Sequence, residues 1–187
     1  MKKIPVLLFL LACVAFSCKN RTAPAEDASR GYIVKTGDEA PDFQIQYLDG
    51  STERLSNYRG KVVMLQFTAS WCGVCRKEMP SIERDIWQKH KENLDFALIA
   101  VDYKEPADTV QEFAESIRVT YPLTLDESGG KFHLYAAQGA GVTRNIIINR
   151  DGKIAFLTRL YDPAEFAEMV RVIDELLAQP SDDENSR

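Results

Sequence analysis

The chain has 187 residues, 45% hydrophobic and 27% charged, with 28 acidic against 23 basic side chains and a formal net charge of -5. That length can build one ordinary hydrophobic core, and an acidic balance with no basic patch argues against nucleic acid as a partner. Beyond position 18 the chain has only Cys72 and Cys75, so no disulfide framework holds the fold together.

Met1-Lys2-Lys3 is a short basic start, followed by an apolar run from Ile4 to Phe16 broken only by Pro5 and Cys13. The run is too short for a comfortable membrane span and reads as the apolar region of a secretory signal. It closes on Ala15-Phe16-Ser17-Cys18, with a polar stretch beyond. A small residue before a cysteine at such a place resembles a bacterial lipoprotein cleavage site, where the cysteine becomes the lipid-bearing N-terminus. This predicts a lipoprotein-type signal peptide over 1–18 with Cys18 as lipid anchor. Leu10-Leu11-Ala12-Cys13 fits the same pattern and keeps Cys13 as the alternative. The expected place is the bacterial cell envelope, anchored by lipid and facing the periplasm. An ordinary cleaved signal would instead leave a soluble periplasmic protein. Residues 19–35 are mixed polar and read as a flexible tether, and 180–187 as a disordered tail, leaving one domain over 36–179.

Within that domain Phe43 to Leu48 alternates weakly, Asp49-Gly50 is a turn signal and Thr52 to Leu55 returns, which predicts an N-terminal β-hairpin. Val62 to Phe67 is an apolar run broken only by Gln66, as in a strand covered on both faces. A helix is predicted from Cys72 to about His90, with a kink at Pro80. Leu94 to Val101 reads as a second buried strand. Asp108 is placed to cap a helix to about Val119, with Gln111 in the capping-box position. Leu123 to Leu125 is short and extended. The β-branched Ile146-Ile147-Ile148 turns through Asn149 to Gly152 and pairs with Ile154 to Thr158. Asp162-Pro163-Ala164-Glu165 is a helix start, with the helix reaching about Ala178. Strands alternating with helices and closing on a hairpin predict an α/β fold with a mixed central sheet flanked by helices.

The most informative segment is Trp71-Cys72-Gly73-Val74-Cys75, between a buried strand and a helix. Two cysteines at this spacing can close a small disulfide ring and reopen it. The first sulfur falls at a helix N-terminus, where unpaired N–H groups and the positive dipole end stabilise a thiolate. A thiolate beside its own resolving thiol is the apparatus of thiol–disulfide exchange. Trp71 supplies an apolar wall at the entrance. Such a pair is also half of a structural zinc site, but the chain offers only His90 and His133 as further nitrogen ligands, far apart in sequence. No metal and no cofactor is expected.

The chain resembles the TlpA/ResA-type thioredoxin-like proteins, exported thiol–disulfide oxidoreductases of bacteria. Gly37-Asp38-Glu39-Ala40-Pro41-Asp42-Phe43 is similar to that family's entry segment, which peroxiredoxins share. Asp49-Gly50, Leu55, Gly60-Lys61, the Val62 to Phe67 strand and Ala69-Ser70-Trp71 follow in order. Cys75-Arg76-Lys77-Glu78-Met79-Pro80 and Asn149-Arg150-Asp151-Gly152-Lys153 complete the resemblance, which runs from about Gly37 to Ala178. It implies a thioredoxin-like fold with Cys72 as attacking thiolate and Cys75 as resolving thiol of a redox disulfide. Glu78 would be an acid close enough to tune the cysteines, by repulsion between like charges or by carrying a proton. Read from the helix alone, Glu78 could equally be a solvated charge beside Arg76 and Lys77. The implied partners are exported protein thiols and disulfides, a membrane thiol that donates electrons, and the membrane itself through the N-terminal lipid.

One position departs from the family. Thioredoxin-like proteins place a cis-proline before the strand that corresponds to Ile146-Ile147-Ile148, and Thr143 stands there in this chain. A trans peptide is therefore expected, with substrate contact through Thr143 and Arg144. Arg144 would be either a cation lowering the pKa of Cys72 or a surface loop residue. Two other functions stay open. One is a thiol peroxidase, although Ala69 holds the position where peroxiredoxins carry a threonine, with Thr68 one step away. The other is a copper-handling module built on Cys72, Cys75 and His133.

Overall fold

The computed structural model describes residues 24–180. The expected signal peptide, both candidate lipid cysteines Cys13 and Cys18, positions 19–23 of the expected tether and most of the expected C-terminal tail lie outside the described residues. A short helix α1 (Pro24–Ser29) precedes a hairpin of β1 (Gln44–Gln46) and β2 (Thr52–Arg54). The sheet proper has five strands in the order β5-β4-β3-β6-β7. They are β3 (Val62–Thr68), β4 (Phe96–Tyr103), β5 (Leu123–Asp126), β6 (Arg144–Ile148) and β7 (Ile154–Arg159). The first three run parallel, while β6 is antiparallel to both β3 and β7, so the sheet is mixed as expected. Every residue of the central strand β3 is buried, which is why it is apolar apart from Gln66 and the terminal Thr68.

Successive side chains of β3 serve the two faces. Thr68 Oγ1 lies 3.3 Å from Met79 Sδ of α2 (Gly73–Ile82), whereas Phe67 packs edge-on against Phe132 at 5.4 Å between centroids. The helical face carries α2, α4 (Ala107–Ile117) and α5 (Pro163–Ala178), with Arg76 of α2 stacked on Phe113 of α4 and Lys89 paired to Asp174 of α5. Right-handed crossovers from β3 to β4 and from β4 to β5 put α2 and α4 on that same side. The other face is covered by Phe43, Phe132 and Tyr135. The hairpin meets the sheet at its β5 edge through a bridge between Tyr47 and Thr124.

Two sequence expectations are refined locally. The helical stretch reaches His90 as expected, but beyond Pro80 it carries a π-helical turn over Glu83–Trp87 before the short α3 (Gln88–His90). Asp108 is not a cap: α4 starts one residue earlier after Pro106, whose extended backbone begins the helix, and Gln111 bonds Glu115 instead. Asp162 does cap α5, accepting from the N–H groups of Ala164 and Glu165 at 3.0 and 2.9 Å.

The later part of the expected tether is docked rather than free. Tyr32 is 4% exposed and bridges to Ala136, and Ile33 donates to the Tyr135 carbonyl at 2.9 Å. A polar average over 19–35 hides this, since one buried aromatic ring is enough to hold the segment down.

Candidate active site at the start of the long helix

β3 ends at Thr68, and Ala69, Ser70 and Trp71 carry the chain to Cys72, the cap of α2. Cys72 has extended backbone, and its Sγ accepts from the Cys75 N–H at 3.2 Å. The two cysteines form a disulfide with their Cα atoms 5.3 Å apart. Cys72 keeps 7% of its surface exposed and Cys75 none, so an incoming thiol or disulfide reaches Cys72 first. Once the bridge is open, the free N–H groups at the helix start favour the thiolate of Cys72. Trp71 beside it is 63% exposed, a large apolar surface on the rim.

Thr143 lies across the disulfide, with Oγ1 3.1 Å from Cys72 Sγ and 3.3 Å from Cys75 Sγ. Its peptide is trans, as expected for a residue that is not proline. A hydroxyl rotates freely, so it can donate to whichever sulfur carries negative charge. That is chemistry a proline cannot supply.

Glu78 is buried, which removes the reading of a solvated helix charge. Its Oε1 accepts from Asn145 Nδ2 at 2.7 Å, and that same nitrogen donates to Thr158 Oγ1 at 2.8 Å. Its Oε2 meets no donor. Loss of water pushes the carboxyl up to about 7, the bond from Asn145 pulls it back only in part, and Glu165 adds a small upward push. With the disulfide closed there is no thiolate beside it, and burial is the main cause of the rise. A carboxyl titrating near neutrality can exchange a proton at working pH.

Arg144 fits neither expectation. It is fully buried and begins β6, where strand alternation turns it away from its neighbour Thr143. Its Nε donates to the Gly141 carbonyl at 3.0 Å, its Nη2 to the Arg30 carbonyl at 2.8 Å, and its guanidinium stacks 4.3 Å over the Tyr32 ring. A substrate contact is excluded by that burial, and its partners are those of a clasp on the N-terminal segment. The Tyr32 hydroxyl donates to the Thr158 carbonyl, which ties the clasp to the strand that supports Asn145. Gly31, at φ +80°, is required at this crossing, because a Cβ there would stand 3.0 Å from Arg144 Nη2.

The residues of the alternative functions are committed elsewhere. Thr68 is spent on Met79. His133 has both ring nitrogens engaged, Nε2 with the Tyr103 hydroxyl at 3.2 Å and Nδ1 with the Ala136 carbonyl at 3.3 Å. Sequence reasoning passes over Asn145, whose signal is a polar residue directly before the three buried isoleucines of β6. It also passes over Ser70 and Glu105. Glu105 accepts from Ser70 N and Ser70 Oγ at 2.5 Å each, while Arg76 Nε donates to the Ser70 carbonyl at 2.7 Å.

Comparison with known proteins agrees with this geometry. The Redoxin family model matches residues 35–177. The thiol-disulfide oxidoreductase ResA of Geobacillus thermodenitrificans is 32% identical over 151 residues, covering 80% of each chain, and that of Bacillus subtilis is 27% identical over 80% of this chain and 78% of its own. The solution structure of a candidate protein disulfide isomerase from Bacteroides thetaiotaomicron has 60% identity and a TM-score of 0.77, covering 80% of this chain and 94% of that one. The chain belongs to the redoxin family.

Proposed function

We propose that this redoxin-family thiol–disulfide oxidoreductase works as a reductase of disulfides in exported proteins, tethered to the membrane of the bacterial cell envelope by lipid on Cys18. The observation that carries the reading is a disulfide capped on a helix N-terminus, with one sulfur reachable, the other sealed, and a neutral-range carboxyl behind the sealed one. In the reduced protein the Cys72 thiolate attacks one sulfur of the substrate disulfide. A mixed disulfide forms and the other substrate sulfur leaves as a thiolate. Cys75 then gives its proton to Glu78 Oε2 and attacks Cys72, which releases the second substrate thiolate and restores the Cys72–Cys75 bond. Two electrons pass to the substrate, and a membrane thiol carrier returns them. Thr143 steadies the sulfur that holds charge, and Trp71 is the surface on which the substrate chain rests.

The reading is tested by trapping. Cys75→Ser protein, reduced and mixed with a disulfide-bonded protein, should accumulate a stable adduct whose peptide map places the bond at Cys72. No adduct, or an adduct bonded at any position other than Cys72, would overturn it.

A further inference from the structure

Apart from Glu78, a pair of buried acids adjoins the loop that leads from β3 to Cys72. Asp102, next to last in β4, is fully buried, and neither of its carboxyl oxygens meets an N–H or O–H donor. Lys104 takes the left-handed φ of +62°, and the chain then brings Glu105 in as the charge acting on Asp102. Glu105 is itself buried at 8% exposure, and both its oxygens are already taken as acceptors by Ser70. The other charged groups around them are occupied. Arg76 from α2 donates to the Ser70 carbonyl and stacks on Phe113 of α4; the Lys104 ammonium lies over the Tyr103 ring at 5.1 Å; Asp126 of β5 accepts from the Lys131 and Phe132 N–H groups. β3 and β5 set Thr68 and Leu125 opposite Asp102, and neither titrates.

Two buried carboxylates side by side repel, and a buried unpaired charge is costly. The arrangement becomes favourable when one carboxyl keeps its proton and donates it to the other. Glu105 has its oxygens committed as acceptors, so the proton belongs on Asp102. We infer that Asp102 and Glu105 share one proton, and that this pair is a positioning group which fixes Ser70, and through it Trp71 and Cys72, only while the proton is present. The inference deepens the proposed function and rests on it for its consequence, but the shared proton is measurable with the disulfide closed and no substrate present. Burial, with Glu105 adding to it, raises Asp102 to about 8. Above that pH the pair would carry two charges, Glu105 would lose a donor, and its hold on Ser70 would loosen.

The test uses the oxidised full chain. Site-resolved carboxyl NMR should find Asp102 titrating near 8, and an ordinary value of about 4 would overturn the inference. The chain has two tryptophans, so Trp87→Phe leaves Trp71 as the reporter. Its fluorescence should change with a midpoint near pH 8, and reduction of the disulfide by dithiothreitol, corrected for the dithiothreitol thiolate fraction, should slow several-fold across the same range. In Asp102→Asn, whose amide donates to Glu105 without titrating, both transitions should vanish. Transitions that persist unchanged in Asp102→Asn would overturn the role in positioning even if the carboxyl titrates high. Should Asp102→Asn fail to fold, the Trp71 fluorescence and dithiothreitol profiles of Trp87→Phe decide: the absence of a transition near pH 8 in both would overturn the role in positioning.

Discussion

Two polar clusters adjoin the redox segment and are built in different ways. Behind Cys75, Glu78, Asn145, Thr158 and Tyr32 form a chain of hydrogen bonds that crosses β6 and β7 and ends at the docked N-terminal segment. Ahead of Cys72, Glu105 and Arg76 close on Ser70 in the loop itself. The first cluster leaves an acceptor free, Glu78 Oε2, and so can take up a proton. The second uses its acceptors to grip backbone and so can hold geometry. The contrast teaches that acids near one redox bond serve different ends: Glu78 keeps an oxygen free for a proton, whereas Glu105 spends both of its oxygens on Ser70.

The largest effect tests what the two clusters serve. Cys72→Ser should abolish turnover in an insulin-reduction assay, whereas Cys75→Ser should still form adducts without releasing product. Next comes the proton-handling cluster. Glu78→Gln should slow resolution of the mixed disulfide by about 100-fold, within the range of general acid–base catalysis, and flatten the pH profile around 7, read by single-turnover kinetics. Stability gives an independent sign. The folded carboxyl is raised from 4.5 to about 7, so the fold binds the proton more tightly than the unfolded chain does. Its stabilisation is complete below the unfolded value and is lost as pH rises through the folded one. Relative to wild type, oxidised Glu78→Gln should therefore gain about 3 kcal/mol between pH 4.5 and 8 in urea titrations.

A smaller change would sharpen the reach of the first cluster. Arg144→Ala removes the donors to the Gly141 and Arg30 carbonyls and the stack on Tyr32. It should cost about 2–4 kcal/mol in urea unfolding and expose the Arg30 to Lys35 segment to trypsin. The smallest structural effect belongs to the exposed rim. Trp71→Ala should alter stability by no more than about 0.5 kcal/mol, yet weaken exchange with protein disulfides about tenfold while leaving reaction with dithiothreitol nearly unchanged. Equal losses with both substrates would remove Trp71 as a docking surface.

The fold and the redox pair were legible because each has a local signature. The buried strand β3 is a mostly apolar run broken by Gln66, Asp162 and Pro163 mark a helix start, and the two cysteines stand at the strand-to-helix junction. Thr143 could be placed by counting back from the hairpin, and it does reach both sulfurs. What escaped depends on contacts between distant segments. Arg144 is read wrongly from sequence because its partners, Arg30 and Tyr32, lie more than a hundred residues away in a stretch of polar composition. Asp108 has the right type for a cap, but Pro106 and Ala107 begin the helix first. Glu105 and Ser70 are unremarkable residues in loops until the β3–β4 register brings their turns together.

The direction of electron flow is the part of the account most directly open to measurement, through the midpoint potential of the Cys72–Cys75 couple at pH 7. A reductase requires a value near that of thioredoxin, about -270 mV, and that is the expected result. A value near that of the strong oxidant DsbA, about -120 mV, would contradict it and make disulfide formation the function of this site.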